Sequence, residues 1–346
     1  MAEMARNYHE SLQNQDINIP DNSPEWEPKT ASILSEVPEC LHLNTQDLAK
    51  EEWNLTYEQV EKGPPPLKKW NGNQMWWVPL QAMEGTWQEI QQGKIPGKSG
   101  FWHSRDTHQP LHRHTILWHG KFGLCQQVDM PNIQEERPPE ISNYRPITLL
   151  NMDYKLLTKT LALQLIKPIH KLIHLDQVGF IPKHLIFNHI RLASTIINYM
   201  EVMEIDGEII ALDQEKAYDE IRHRYLWNMM KAMNLPAHFV TTVMALYNNT
   251  HTPVAINRVV SKPFWVVTRG VRQGDPLFCL LFNLAIEPLA CKLRNWDNLR
   301  GLSIPGVENK LIVNLFADHT TGYLSSHNRF NTVENHLMVW SLQSQV

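Results

Sequence analysis

Apolar spacing along this chain is uneven, and it sharpens toward the C-terminal half. From Asp153, the residues Leu156, Leu157, Leu161 and Leu165 recur at helical spacing with Lys155 and Lys159 elsewhere, which predicts an amphipathic helix. A second predicted helix runs from about Phe187 to Met203 and offers Ile190, Ala193, Ile196, Ile197 and Met200 as a core-packing face. A third spans Tyr225 to Met233 with Leu226, Met229, Met230 and Met233 inward, a methionine stripe of the kind that fills cores. Asn234-Leu235 closes it, and Pro236 suits the first turn of a fourth helix that buries Phe239, Val240, Val243, Leu246 and Tyr247. Asp275-Pro276 then opens a long apolar helix to about Leu293, with the acid as N-cap and the proline at the first helical position.

Strand patterns lie between these helices. Ile209-Ile210-Ala211-Leu212 is a short apolar run that reads as a buried strand and stops abruptly at Asp213. Ile141 to Asn151 reads as a turn, a short strand and a helix start, and Asp176 to Pro182 as a break between helices. Val254-Ala255-Ile256 and Phe264 to Val267 are two further strands, with Asn257-Arg258 between them as a hairpin turn weaker than Asn-Gly. Leu311 to Ala317 and Thr321 to Leu324 form a predicted hairpin with Asp318 and His319 at its tip. Helices and hairpins mixed in this way give an α+β class.

The N-terminal third is less regular. Residues 1–62 carry mild helical periodicity, as in Met4 to Leu12, broken by Pro20, Pro24, Pro28 and Pro38, and read as a helical linker or connector. Gly63-Pro64-Pro65-Pro66 is a stiff break. Residues 63–130 hold Trp70, Trp76, Trp77, Trp87, Trp102 and Trp118 beside His103, His108, His112, His114 and His119. No period of 2 or 3.6 runs through this irregular segment, so it predicts no fold. Pro110 interrupts any helical ligand pair, and the histidines read as a loop composition rather than a metal site. Residues 131–212 and 213–346 make up the remaining two parts of the organisation.

Composition narrows the classes. The chain has 346 residues, 42% of them hydrophobic, enough for two or three domains with a sizeable core. Its 32 Lys+Arg against 36 Asp+Glu give a formal charge of −4, so any contact with nucleic acid must rest on local patches. Cys40, Cys125, Cys279 and Cys291 form no C-x-x-C pair, and Cys279 and Cys291 sit in an apolar helical context. That usage predicts a reducing intracellular compartment, with nucleus and cytoplasm both open. No apolar run is long enough to span a bilayer and none marks a leader, so no membrane partner is expected.

The chemistry concentrates at acidic ends of strands. Asp213 is followed by Glu215, Lys216 and Asp219, and a carboxylate at a strand end suits Mg²⁺, which takes hard oxygen ligands. A strand ending in a polar turn is commonplace; the later segments Arg269 to Leu277 and Leu315 to Thr320 lift this one above it. Carboxylates such as Asp213 and Asp318, converging from neighbouring strands, are how two-metal nucleotidyl transfer is arranged. Tyr218, five positions after Asp213, is placed to pack against the sugar of an incoming nucleotide and reject a 2′-hydroxyl.

In order and spacing, five segments resemble the reverse transcriptases of non-LTR (LINE-type) retrotransposons: Asn143-Tyr144-Arg145-Pro146-Ile147, Asp176-Gln177-Val178-Gly179-Phe180, Asp213 to Asp219, Arg272-Gln273-Gly274-Asp275-Pro276-Leu277, and Phe316-Ala317-Asp318. The likeness covers about residue 141 to the end, and reaches weakly to Gly93 to Gly100 and to Met1 to Leu12. It implies a right-hand polymerase fold with fingers in residues 131–212 and palm in residues 213–346, an antiparallel palm sheet packed on helices. The implied activity is RNA-directed DNA polymerisation, with an RNA template, a DNA primer and deoxynucleoside triphosphates as partners and no specific protein partner. The implied cofactor is two Mg²⁺ ions, with Mn²⁺ as substitute. On this likeness Asp213 and Asp318 are catalytic and hold metal, with His319 as a third metal-site position. Tyr218, Gln273, Gly274 and Arg145 contact nucleotide or template, while Lys216 serves equally well as a structural ion-pair partner.

Departures from the family pattern set a second reading beside the first. His319 stands where the family has a second aspartate, which removes a negative charge and offers a nitrogen better suited to Mn²⁺ or Zn²⁺ than to Mg²⁺. Asn132 to Pro139 replaces a basic strand-like run, and Lys183-His184 replaces Gly-Arg. No thumb is expected after Val346 and no endonuclease before Met1. The chain therefore reads either as a working polymerase core or as an inactive remnant that keeps the fold or nucleic-acid binding. A hydrolase with metal in the histidine-rich stretch is a distant third.

Overall fold

Antiparallel pairing dominates the sheets of the computed structural model. It describes residues 2–14, 34–35, 37–50, 53, 116–119, 125–129, 145–150, 152–214, 217–248, 250–256, 259–266, 268–272, 274–295, 301–302 and 313–325, with backbone alone for the strands between 116 and 149. The chain forms two units, one from Met1–Pro20, Glu52–Gln164 and Pro236–Phe278, the other from Asp21–Glu51, Leu165–Leu235 and Cys279–Val346.

In the first unit, helix α1 (Ala2–Asn14) buries Ala2 and Ala5 against Val254, Ile256 and Phe264. Arg6 pairs with Glu10 one turn on at 2.7 Å, and Glu3 accepts the Lys262 backbone N–H at 2.9 Å. Strands β1 (Ile116–His119), β2 (Cys125–Asp129) and β3 (Arg145–Leu149) join β6 (Val254–Ile256) and β7 (Val259–Val260) in a sheet of order β3-β2-β1-β6-β7. β1 and β2 thus fall within the segment that showed no period. Helix α3 (Met152–Ile166) buries Leu157, Leu161 and Leu165 of the four leucines its spacing predicts, while Leu156 is half-buried.

Strand pairing around residue 255 differs from the predicted hairpin. β6 (Val254–Ile256) pairs with β7 (Val259–Val260), whereas β8 (Phe264–Val266) pairs with β5 (Thr250–Thr252). Nearest-neighbour closure wins, because the shorter loop places Val259 opposite Ile256. Asn257-Arg258 lies outside the described residues. Helix α8 (Ala237–Tyr247), with Pro236 as its N-cap residue, buries the five predicted side chains.

The second unit contains a short 3-10 turn (Glu39–Leu41), α2 (Thr45–Lys50), α4 (Ile169–Leu172), α5 (Ile186–Met203), α6 (Ala217–Glu220) and α7 (His223–Ala232). Leu226, Met229, Met230 and Met233 are fully buried as predicted, each worth roughly 1.5–3 kcal/mol of transfer free energy. Helix α9 (Phe278–Asn295) buries every residue from Leu280 to Cys291. Its Pro288 removes one N–H from the helix interior, and the Tyr225 hydroxyl adds a donor to the neighbouring Ala285 carbonyl at 2.8 Å. The helix starts at Phe278, two residues later than predicted, because Asp275 caps the preceding turn by accepting the Leu277 N–H at 2.9 Å.

Three strands form this unit's sheet, in the order β4 (Gly207–Asp213), β10 (His319–Ser325), β9 (Val313–Phe316). The predicted burial of β4 does not hold. The strand is at the sheet edge and Ile209 is 39% exposed, since an apolar run reports affinity for a core without ensuring coverage on both faces. Helix α5 is a second correction. Ile190 is 53% exposed and Ile197 44%, and the packed stripe is Leu192, Ile196 and Met200 against Leu302 and Tyr323. That i, i+4, i+8 row is narrower than the predicted face and rotated from it.

Candidate active site

β4 ends at Asp213, and the sheet register sets what lies beside it. Asp213 is the Cα partner of His319, the first residue of β10, and His319 is also the partner of Phe316, the last residue of β9. The hairpin tip is therefore Ala317-Asp318, and His319 belongs to the strand, a correction of one residue to the expected tip. Asp213 at a strand end and Asp318 in the neighbouring turn thus lie at one end of one sheet.

Their surroundings differ sharply. The Asp213 side chain is 63% exposed, whereas Asp318 is buried at 7%. The His319 Nδ1 lies 3.2 Å from Asp213 Oδ1, and both side chains are open to water, so the contact contributes little to stability. The half-buried Tyr218 on α6 donates its hydroxyl to Asp318 Oδ1 at 3.3 Å, and its ring packs on Phe282 with centroids 4.6 Å apart. Glu215 and Lys216 lie outside the described residues.

The segment Asp176 to Gly179, expected as a simple break, joins the site. It runs parallel to β9 through a bridge between Gln177 and Leu315, and the Gln177 side chain reaches the Ala317 peptide. Its sequence signal was the shared motif; nothing in the apolar pattern announced a contact across about 140 residues of chain.

Arg145, Gly274 and Arg272 belong to the first unit. Arg145 opens β3 opposite Asp129; Gln273 lies outside the described residues. Gly274 is exposed with φ 99°, a left-handed conformation that favours glycine. The flanking charges turn inward. Arg272 donates to the Tyr154 hydroxyl and to Thr250 Oγ1 at 2.7 Å, with its guanidinium 4.4 Å from the Tyr247 ring centroid. The Tyr154 hydroxyl in turn donates to Asp275 Oδ2 at 3.2 Å. Burial pushes the Asp275 carboxyl above its ordinary range, opposed by the Leu277 N–H and the Arg272 charge. This buried lattice holds the loop from which Gly274 projects.

Among the described residues, no cluster of three or more His, Cys, Asp or Glu side chains could hold a metal ion. Two carboxylates are nonetheless the donor set Mg²⁺ ordinarily takes from protein, the remaining positions going to water and substrate phosphate. Asp213 and Asp318 supply donors of that type at one end of the sheet. No helix among the described residues is long and apolar enough to cross a membrane.

An antiparallel sheet with Asp213 at a strand end and Asp318 in the adjacent turn is consistent with a nucleic-acid polymerase. Comparison with known proteins narrows that class. The family described as "Reverse transcriptase (RNA-dependent DNA polymerase)" matches residues 133–346. The chain belongs to this family, as a reverse transcriptase domain of a non-LTR retrotransposon. It is 34% identical over 178 residues to the transposon TX1 uncharacterized 149 kDa protein of Xenopus laevis, covering 51% of this chain and 13% of the relative. It is 31% identical over 226 residues to a retrovirus-related Pol polyprotein from type-1 retrotransposable element R2 of Nasonia vitripennis, covering 63% and 22%. The corresponding protein from type-2 element R2DM of Drosophila melanogaster is 28% identical over 180 residues, covering 50% and 16%. The chain thus spans less than a quarter of the length of each of these relatives.

Proposed function

We propose that this chain extends a DNA primer 3′-hydroxyl with deoxynucleoside triphosphates on an RNA template. The observation that carries the reading is the register of β4 and β10, which pairs Asp213 with His319, the residue after Asp318, at one sheet end. Asp213 and Asp318 would hold two divalent ions, which supply activation of the primer hydroxyl and neutralisation of triphosphate charge. Tyr218, braced on Phe282 next to Asp318, gates the sugar by filling the space a 2′-hydroxyl would need. Arg145 contacts template or triphosphate from the fingers, and Gln273 and Gly274 face nucleotide and template, with Gly274 held outward by the buried Arg272 and Asp275 lattice. In this assignment β4, β9 and β10 form the palm sheet.

A second reading draws on His319. Its imidazole stands at the family's second aspartate position and contacts Asp213, which favours a remnant that binds nucleic acid without chemistry. The experiment is primer extension on an RNA template in Mg²⁺ and separately in Mn²⁺, with Asp213→Asn as control. Incorporation that disappears in the control supports the polymerase, and His319→Asp is then expected to raise the rate about tenfold, the effect of roughly 1.4 kcal/mol. No incorporation in either metal from folded protein supports the remnant.

A further inference from the structure

The turn that carries Asp318 does not hold its own shape. Ala317 sits at φ 54°, in the left-handed region where a Cβ costs roughly 1–2 kcal/mol and where two-residue hairpin turns favour glycine. Both polar groups of this residue are taken by one side chain. The Ala317 N–H donates to Gln177 Oε1 at 2.9 Å, and Gln177 Nε2 donates to the Ala317 carbonyl at 3.4 Å. The same Oε1 accepts the Gly179 N–H at 2.9 Å, which fixes the amide's orientation. Gln177 is 1% exposed, so water does not compete for these bonds.

The clamp is itself anchored. Asn283 on α9 donates to the Gly179 carbonyl at 2.7 Å, and the Asp176 carboxylate lies 3.5 Å from Arg294 Nη1 on the same helix. Backbone bonds complete the attachment, with Leu315 N–H to the Asp176 carbonyl at 2.7 Å and Val178 N–H to the Leu315 carbonyl at 3.0 Å. Gly179 is required for the approach, because a Cβ there would meet Ala317 N at 2.3 Å and Ala317 Cα at 3.0 Å.

We propose that Gln177, seated by Gly179 and Asn283, is a positioning residue that fixes the Ala317-Asp318 turn and so presents the Asp318 carboxylate beside Asp213. It acts through the Ala317 peptide group. The proposal rests on Asp213 and Asp318 being the metal-holding pair.

The test uses the full chain and two variants. Gln177→Met matches the volume without polar groups, and Gln177→Asn keeps the amide on a shorter arm. Three quantities are measured: Ala317 amide hydrogen exchange, Mn²⁺ affinity by electron paramagnetic resonance, and the urea midpoint. The expected result is Ala317 exchange at least about tenfold faster and Mn²⁺ affinity weaker by roughly 10- to 100-fold, the range seen when groups orienting metal ligands are removed. A merely structural role would lower the urea midpoint and leave the Mn²⁺ affinity of folded protein unchanged. Unchanged Ala317 exchange, or Mn²⁺ affinity within about twofold of the native chain, overturns the proposal. Asp213→Asn separates the metal pair from the clamp. If it binds Mn²⁺ as the native chain does, the metal-pair reading fails and the proposal with it. If it loses Mn²⁺ while the Gln177 variants retain it, only the clamp fails.

Discussion

Asp213 and Asp318 were legible as positions because a strand's apolar run ends visibly at a charge, and a hairpin exposes its turn residues to the same reading. Their unequal burial was not legible, since it depends on Tyr218, Phe282 and the clamp arriving from distant sequence. Gln177 gave no signal of its role for the same reason. If Tyr218 gates the sugar, Tyr218→Ala is expected to raise ribonucleotide relative to deoxyribonucleotide incorporation by roughly 10-fold or more, read in competition assays on one RNA template. An unchanged ratio would remove Tyr218 from that role. Arg272 was grouped by resemblance with nucleotide-facing neighbours, yet its guanidinium is buried between Tyr154, Thr250 and Tyr247. Arg272→Lys cannot reproduce a fork that serves two partners and is expected to cost about 1.5–3 kcal/mol in urea denaturation.

At the scale of elements, helix existence followed from 3.6 periodicity, as α3, α7 and α8 illustrate, because most of their predicted apolar positions are buried. Helix α5 shows where that logic stops. Periodicity gives the side that could pack, whereas the Leu192, Ile196 and Met200 row that does pack is selected by Tyr323 and Leu302 from far along the chain. Strand partners were less legible than strands, since β6 has two candidate neighbours of similar composition. Helix α5 also carries a pH dependence. Burial lowers the His189 pKa below its ordinary value of 6.5, with Asp176 opposing and His184 adding to the shift. A depressed pKa means the folded state prefers neutral imidazole. Its stabilising contribution is present above about pH 6.5 and is lost as pH falls through the lowered value. The urea midpoint is therefore expected to drop between about pH 7 and pH 5 more steeply in the native chain than in His189→Gln, and equal slopes would contradict this.

For the molecule as a whole, the mixed class and antiparallel sheets were legible from composition and hairpin patterns, and the motif order carried the family. The docking of α1 on β6 and β8 was not, because Ala2 and Ala5 leave no apolar signature strong enough to name a partner about 250 residues away. In the proposed mechanism Asp213 and Asp318 work as one site. Single-turnover primer extension with Asp213→Asn, Asp318→Asn and the double variant tests it most directly. Groups that act as a unit are non-additive, so the double variant is expected to lose no more rate than the worse single variant. Losses that multiply, or a single variant with the native rate, would contradict a shared site.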